Sequence, residues 1–255
     1  MVFIEGYKQD FAKLLAETGS LFFDNGLKLK DKRETPYFVN MGIFNSGRLI
    51  NQLGEYYADM LVSRGMGGEV DIIFGPSYKG SAIAVAMVSS LYQKHGLDLK
   101  FVYDRKEEKT HGEATKAGSM WVGAKFFDGC RVYLVDDVGT SMQTKYDAID
   151  MLAAEAERQG IKINLVGVGI GVDREQTGPV YDTDGAPKNE KGTDAIRTFA
   201  DKTGIPVHSV IGIREIVQFL HENQIPVKVR GKMRPIDEVL MKGFEAYMRK
   251  YGVGR

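Results

Sequence analysis

The chain has 255 residues, 43% hydrophobic and 27% charged, which is enough apolar mass for one large core with small additions. Its 34 Lys and Arg balance 34 Asp and Glu, against the basic surface that a general nucleic-acid binder needs. A single cysteine, Cys130, excludes an intrachain disulfide and a thiolate metal cluster.

From the N-terminus, Phe3 to Thr18 sets Phe11, Leu14 and Leu15 at helical spacing, and Gly19 is expected to end the helix. Glu5, Lys8, Asp10, Lys13 and Glu17 interrupt any apolar signal segment, and no apolar run approaches the roughly 20 residues of a membrane span. A cytoplasmic location, away from membranes, is therefore expected. Leu21 to Phe44 reads as short extended segments about the turn Asp31-Lys32-Arg33, and Ser46 is placed to cap a second helix running to about Arg64.

The pattern then alternates. Strands are expected at Val70 to Phe74, Leu99 to Tyr103, Arg131 to Val135, Ile163 to Val172 and Val207 to Ile211. Helices are expected near Ser81 to Lys94 and from Ser141 to Gln159. Such alternation implies βαβ units and a parallel sheet covered on both faces, with ligands bound beyond the carboxyl ends of the strands. Asp173 to Thr193, rich in Gly, Asp and Lys, reads as a surface insertion, and Pro226 to Arg255 as a C-terminal extension ending in a helix.

Two tempting signals fail on context. Gly167-Val168-Gly169-Ile170-Gly171 lies inside an apolar strand and leads into Asp173-Arg174, so it is no dinucleotide fingerprint. Asp182-Thr183-Asp184-Gly185 would begin a calcium loop at Val180 and end it at Lys191, and neither is a ligand.

The segment Val132-Tyr133-Leu134-Val135-Asp136-Asp137-Val138-Gly139-Thr140-Ser141 runs a buried strand into paired carboxylates, a small-residue turn and a helix. Two acids at a strand end are costly unless cations, hydroxyls or a ligand meet them. The turn offers N–H groups and hydroxyls at a helix N-terminus, which suits a phosphate. Acids beside a phosphate cradle suit a ligand that also carries ribose hydroxyls and Mg²⁺; the alternative is that Asp136 or Asp137 only caps the helix.

This segment resembles the phosphoribosyl pyrophosphate (PRPP) motif of type I phosphoribosyltransferases. The resemblance implies that Asp136 and Asp137 contact the ribose hydroxyls. It also implies that Val138, Gly139, Thr140, Ser141, Met142, Gln143 and Thr144 form the loop for the 5-phosphate. Where the family loop has a glycine and then a threonine or serine, this chain has Met142 and Gln143.

Tyr103 to Glu113 packs Arg105, Lys106, Lys109 and His111 into seven residues after a strand and before a Gly- and Ala-bearing stretch. A cationic loop there can close over a leaving anion. The run is similar to the catalytic loop of orotate phosphoribosyltransferases. That likeness implies that Arg105, Lys106, Lys109 and His111 meet pyrophosphate, with His111 also placed to carry a proton. It further implies a homodimer in which loop 104–118 reaches the partner's site.

Three further stretches resemble the same family. Lys30 and Phe38, with Val39 beside it, fall on positions of its N-terminal hood, implying contacts to substrate and orotate ring. Tyr78 and Lys79, in Gly75-Pro76-Ser77-Tyr78-Lys79-Gly80, match a pyrophosphate-binding pair. Arg174, in Asp173-Arg174-Glu175-Gln176, takes the place of the arginine that reads the pyrimidine, and a guanidinium fork suits a planar, carboxylate-bearing ring. Thr140 would help to orient orotate.

The resemblance implies an α/β fold of the type I phosphoribosyltransferases. This is a parallel twisted sheet flanked by helices, with a small hood at about 1–45, a main domain over 1–225 and a helical extension over 226–255. The implied activity transfers ribose 5-phosphate from PRPP to orotate, with Mg²⁺ held mainly by PRPP and water. Transfer to another base, or a non-catalytic nucleotide sensor, are the alternatives.

Overall fold

A computed structural model describes residues 4–105, 120–139, 142–188 and 190–254. In chain order its elements are α1 (Gly6–Glu17), β1 (Leu21–Lys28), β2 (Glu34–Val39), α2 (Gly47–Ser63), β3 (Ile72–Phe74), α3 (Lys79–His95), β4 (Lys100–Asp104) and β5 (Trp121–Gly123). They continue with β6 (Cys130–Gly139), α4 (Gln143–Gln159), β7 (Ile163–Asp173), α5 (Ala195–Thr203), β8 (Val207–Gly212), α6 (Ile213–Glu222), β9 (Val227–Val229), β10 (Lys232–Arg234) and α7 (Glu238–Tyr251).

The main sheet has six strands in the order β5-β4-β3-β6-β7-β8, all parallel except the antiparallel edge strand β5. Because side chains alternate along a strand, neighbouring residues serve different cores. Ile72, Phe74, Val132, Leu134, Val168 and Ile170 pack with Ala148 and Leu152 of α4 and Phe199 of α5. Ile73, Tyr133 and Val135 join the apolar faces of α1, α2, α3 and α6 on the other side. No helix among the described residues is long and apolar enough to cross a membrane.

The glycines of β7 follow from the same alternation. A Cβ at Gly169 would sit 2.8 Å from Cε1 of Tyr133 and 3.0 Å from Cε of Met60, and one at Gly171 would sit 2.9 Å from the Tyr57 hydroxyl. The repeat that imitates a nucleotide fingerprint is thus a groove for two fully buried tyrosines. Gly169→Val is expected to lower the unfolding free energy by about 1–3 kcal/mol, the usual range for overpacking a tight core. Urea titration checks this, and an unchanged midpoint would mean that Tyr133 yields without cost.

Chain order and sheet order together create a crevice. From the centre the chain moves outward through β3 to β4 on one side and through β6, β7 and β8 on the other. The connections leaving β3 and β6 therefore diverge at their carboxyl ends, where open α/β sheets bind ligands.

A second, four-stranded sheet forms the hood, in the order β10-β9-β1-β2. The extension begins not with a helix but with β9 and β10, because Val227 and Val229 alternate with exposed Lys228 and bury against the β1 edge. Helix α7 then lies against β2, with Tyr37 ring-to-ring with Phe244 at 5.7 Å and with Tyr247 at 6.0 Å.

The other departures from the expected elements are local. β6 runs past Val135 to Gly139 because Asp136 and Val138 keep their pairing with Ile170 and Val172, and α4 starts at Gln143. α6 is not among the expected helices, although Ile213, Ile216, Val217 and Leu220 stand at helical spacing and are all buried. α5 and β5 are too short to stand out.

Candidate active site

At the end of β6 each acid already has a lysine. Asp137 Oδ2 lies 2.6 Å from Lys79 Nζ, and Asp136 Oδ2 lies 2.5 Å from Lys145 Nζ. The pairs differ in access: the Lys79 side chain is 59% exposed and that of Lys145 only 3%. The second carboxylate oxygens are also engaged, Asp136 Oδ1 by the N–H of Asp137 and Asp137 Oδ1 by the N–H of Val138. Beneath them the Tyr57 hydroxyl donates to the Asp136 carbonyl at 2.7 Å. Burial, followed by the nearby Asp137 and Asp136 charges, pushes the Tyr57 pKa well above its ordinary value, so this phenol stays a donor.

Lys79 comes from the tight connection between β3 and α3. Gly75 is required there because a Cβ would lie 2.0 Å from the carbonyl oxygen of Gly80. Ser77 ties this turn to β4: its N–H and hydroxyl donate to the Asp104 carboxylate at 2.6 Å and the Asp104 carbonyl at 2.5 Å. The next residue, Arg105, donates its backbone N–H to the Met120 carbonyl at 2.7 Å, so the residues flanking segment 106–119 meet beside the Lys79 turn. The Arg105 Nε is buried and finds no partner among the described residues.

On the other side of the crevice, β7 pairs Asp173 with Gly139 and brings Arg174 next to the acid-bearing loop. Arg174 is only 8% exposed, and its Nε and Nη2 are buried without a hydrogen-bond partner among the described residues. Its guanidinium carbon lies 5.2 Å from the ring centre of fully buried Tyr37. The flanking segment is held by the C-terminal part of the chain. Gln176 donates to the Tyr247 hydroxyl, the N–H of Thr177 donates to the Tyr251 carbonyl at 2.9 Å, and the N–H of Val253 donates to the Glu175 carbonyl at 2.8 Å. Arg33, buried at the hood turn, adds a bond of 2.8 Å to the Thr177 carbonyl. A buried cation with idle donors is costly, and a planar anion presenting acceptors would satisfy it.

No protein-family model matches the chain. An orotate phosphoribosyltransferase of Clostridium acetobutylicum is 30% identical over 250 residues, covering 98% of this chain and all of that one. Another, from Bifidobacterium adolescentis, is 35% identical over 213 residues, covering 82% and 83%. The chain belongs to the orotate phosphoribosyltransferase family. The crystal structure of the Francisella tularensis orotate phosphoribosyltransferase superposes with a TM-score of 0.70 at 28% identity, over 95% of this chain and 98% of that one. The sheet flanked by helices is thus the type I phosphoribosyltransferase fold, and the chain is of the glycosyltransferase class.

Against the orotate phosphoribosyltransferase motifs, the fold brings together Asp136, Asp137, Val138, Gly139, Lys79 and Arg174 around one crevice. Tyr78 is there too, 77% exposed. Lys106, Lys109, His111, Thr140 and Ser141 lie outside the described residues. Phe38 is on the opposite face of β2 from Tyr37 and Arg174 and packs on Phe22 at 5.8 Å, while Val39 is buried on the Tyr37 side. Lys30 sits exposed in the turn between β1 and β2. Gln143 and Thr144, also exposed, open α4.

Met142 answers a question raised by the family loop. It adopts φ 60° and ψ 6°, the left-handed conformation natural to the glycine that the family has there. A non-glycine residue pays roughly 1–2 kcal/mol for this, and burial of its side chain in the α4–α5 core offsets the cost.

Sequence reasoning missed Lys145, Tyr57, Tyr37 and Arg33. For Lys145 a signal existed: Lys145, Ala148, Leu152 and Glu155 form the buried stripe of α4, and a lysine on such a stripe needs a charge to meet.

Proposed function

We propose that this chain transfers the ribose 5-phosphate of PRPP to orotate, giving orotidine 5′-monophosphate and pyrophosphate, a step of pyrimidine biosynthesis. The observation that carries the reading is the buried Arg174 guanidinium, with two idle donors, held one residue beyond β7 and next to the acid-bearing loop. In this reading Arg174 grips the orotate carboxylate and directs the ring nitrogen towards the anomeric carbon, where orientation lowers the barrier. Thr140 assists, with Val39 and Lys30 supplying the hood side; Phe38, on the β2 face away from Arg174, would reach the ring only if that face turned towards it.

Asp136 and Asp137 accept from the ribose hydroxyls and favour the positive charge that develops on the sugar. The turn from Val138 to Thr144 takes the 5-phosphate at the start of α4. Lys79, held loosely at the surface, turns from Asp137 to the departing pyrophosphate with Tyr78 beside it. Arg105, Lys106, Lys109 and His111 come to the same anion, His111 being placed to move a proton, on loop 104–118 of the second subunit of a homodimer.

The donor set fits magnesium reached mainly through PRPP oxygens and water. The two carboxylates are already paired with lysines, and no group of three or more His, Cys, Asp or Glu gathers among the described residues. When bound, Mg²⁺ neutralises part of the pyrophosphate charge. Residues 1–225 carry this site, the extension 226–255 buttresses its Arg174 side, and the enzyme works in the cytoplasm without nucleic acid or membrane.

The test is pyrophosphate release from PRPP and Mg²⁺ with orotate, uracil, hypoxanthine or adenine as separate acceptors. Release with orotate alone is expected. Release with another base would keep the PRPP site and overturn the acceptor. Silence with all four alongside tight PRPP binding would make the chain a sensor.

A further inference from the structure

We propose that Lys145 is a positioning residue for PRPP, fixing Asp136 as a permanently neutralised acceptor and leaving Asp137 as the acid that substrate binding uncovers. This rests on the PRPP site proposed above.

The ammonium of Lys145 has three protons and, among the described residues, three acceptors around it. These are Asp136 Oδ2 at 2.5 Å, the Thr144 hydroxyl at 3.3 Å and the Val138 carbonyl at 3.4 Å. Among the described residues these acceptors occupy all three donors, and the side chain is sealed from solvent at 3% exposure. It therefore acts through its neighbours. Those neighbours begin and end the turn proposed to hold the 5-phosphate, so one buried cation ties its two ends to the first ribose acid.

Charge bookkeeping separates the two acids. A buried ion pair is costly to break, since either partner left alone is an uncompensated charge in a poor solvent. Asp136 consequently keeps its counter-ion whether or not substrate is present. Asp137, itself 19% exposed, is paired with Lys79, whose side chain is 59% exposed, and a pair open to solvent on its lysine side is worth less than a sealed one. Lys79 can leave for a pyrophosphate oxygen at small cost, and Asp137 then gains one unit of unbalanced negative charge beside the sugar. The pair beneath the loop stays static while the pair at its rim exchanges partners.

The departures of the loop from the family pattern fit this role. Where the family has glycine, Met142 holds the left-handed turn, and its carbonyl accepts the N–H of Lys145 at 2.9 Å as α4 begins. The turn that Met142 makes is the one that swings Lys145 under Asp136.

The experiment measures PRPP dissociation constants by calorimetry, with steady-state constants and Tm alongside, for wild type, Lys145→Met, Lys145→Arg, Asp136→Asn and the Lys145→Met/Asp136→Asn double variant. Lys145→Met is expected to weaken PRPP about 30-fold, the loss of roughly one charge-assisted contact set, with the KM for orotate within about twofold. Lys145→Arg is expected to recover part of that loss. The double variant should bind PRPP like Asp136→Asn alone, because the pair acts as one unit.

Wild-type PRPP affinity in Lys145→Met would overturn the proposal, as would a lowered Tm with an unchanged dissociation constant. If Lys145→Met does not fold, the double variant decides, since removing both charges leaves none unpaired. PRPP affinity weaker than that of Asp136→Asn would then show that Lys145 does not act through Asp136. A wild-type chain that binds no PRPP would sink the underlying reading, whereas normal wild-type binding with an indifferent Lys145→Met sinks this inference alone.

Discussion

Replacing Arg174 by glutamine is expected to lower kcat/KM for orotate roughly a thousandfold, while the KM for PRPP moves by less than about twofold. The size follows from what the guanidinium is missing in the free protein. Its Nε and Nη2 are already stripped of solvent and have no partner among the described residues, so their desolvation cost is met before orotate arrives. A carboxylate that fills both donors gains two charge-assisted bonds without a new penalty. Glutamine keeps much of the length, so Tyr37 stays covered and the fold is preserved, but it offers no charge and no fork. Steady-state kinetics with each substrate varied in turn checks this. A fall shared equally by orotate and PRPP would mean that Arg174 holds the loop rather than the base.

Lys109→Ala is expected to cut kcat by about 10²–10³ and to leave orotate binding nearly intact, the range found when one preorganised charge is removed from a developing anion. Lys109 lies outside the described residues, but the base of its loop does not. Asp104 is bonded to Ser77 in the turn that carries Lys79, and Arg105 is bonded to Met120. The residues that flank segment 106–119 therefore sit on the side of the crevice proposed to take pyrophosphate. A charge delivered from there matters most as the leaving group departs, which is why kcat should carry the loss. Unchanged turnover would remove the loop from the mechanism. Mixing Lys109→Ala chains with Arg174→Gln chains tests the shared site: a mixed dimer with exchanged loops contains one intact site, whereas a dimer whose chains each use their own loop contains none.

Much of the site was legible in the chain because its chemistry is local. Asp136 and Asp137 follow an apolar run, Lys79 comes directly after the turn Gly75-Pro76-Ser77-Tyr78, and Arg174 comes directly after β7, so strand ends and turn residues announced them. Other parts were not local. The burial of Arg174 rests on Tyr37 beside it and on α7, which is more than 60 residues later in the chain and packs on Tyr37 through Phe244 and Tyr247. The glycines of β7 carried a motif-like pattern whose meaning lies in two tyrosines contributed by α2 and β6.

The sequence by itself determined the alternation of strands and helices, the order of the motifs and the charges each motif carries, since these follow from period, turn chemistry and neighbouring residues. Only the tertiary structure decided that Phe38 faces away from Arg174, that the extension completes the hood sheet, and that Asp136 and Asp137 are each matched to a particular lysine. Those outcomes depend on which element buries which face. Lys79 and Lys145 are the same residue type in sequence, and only the packing around them leaves one at the surface and seals the other from solvent.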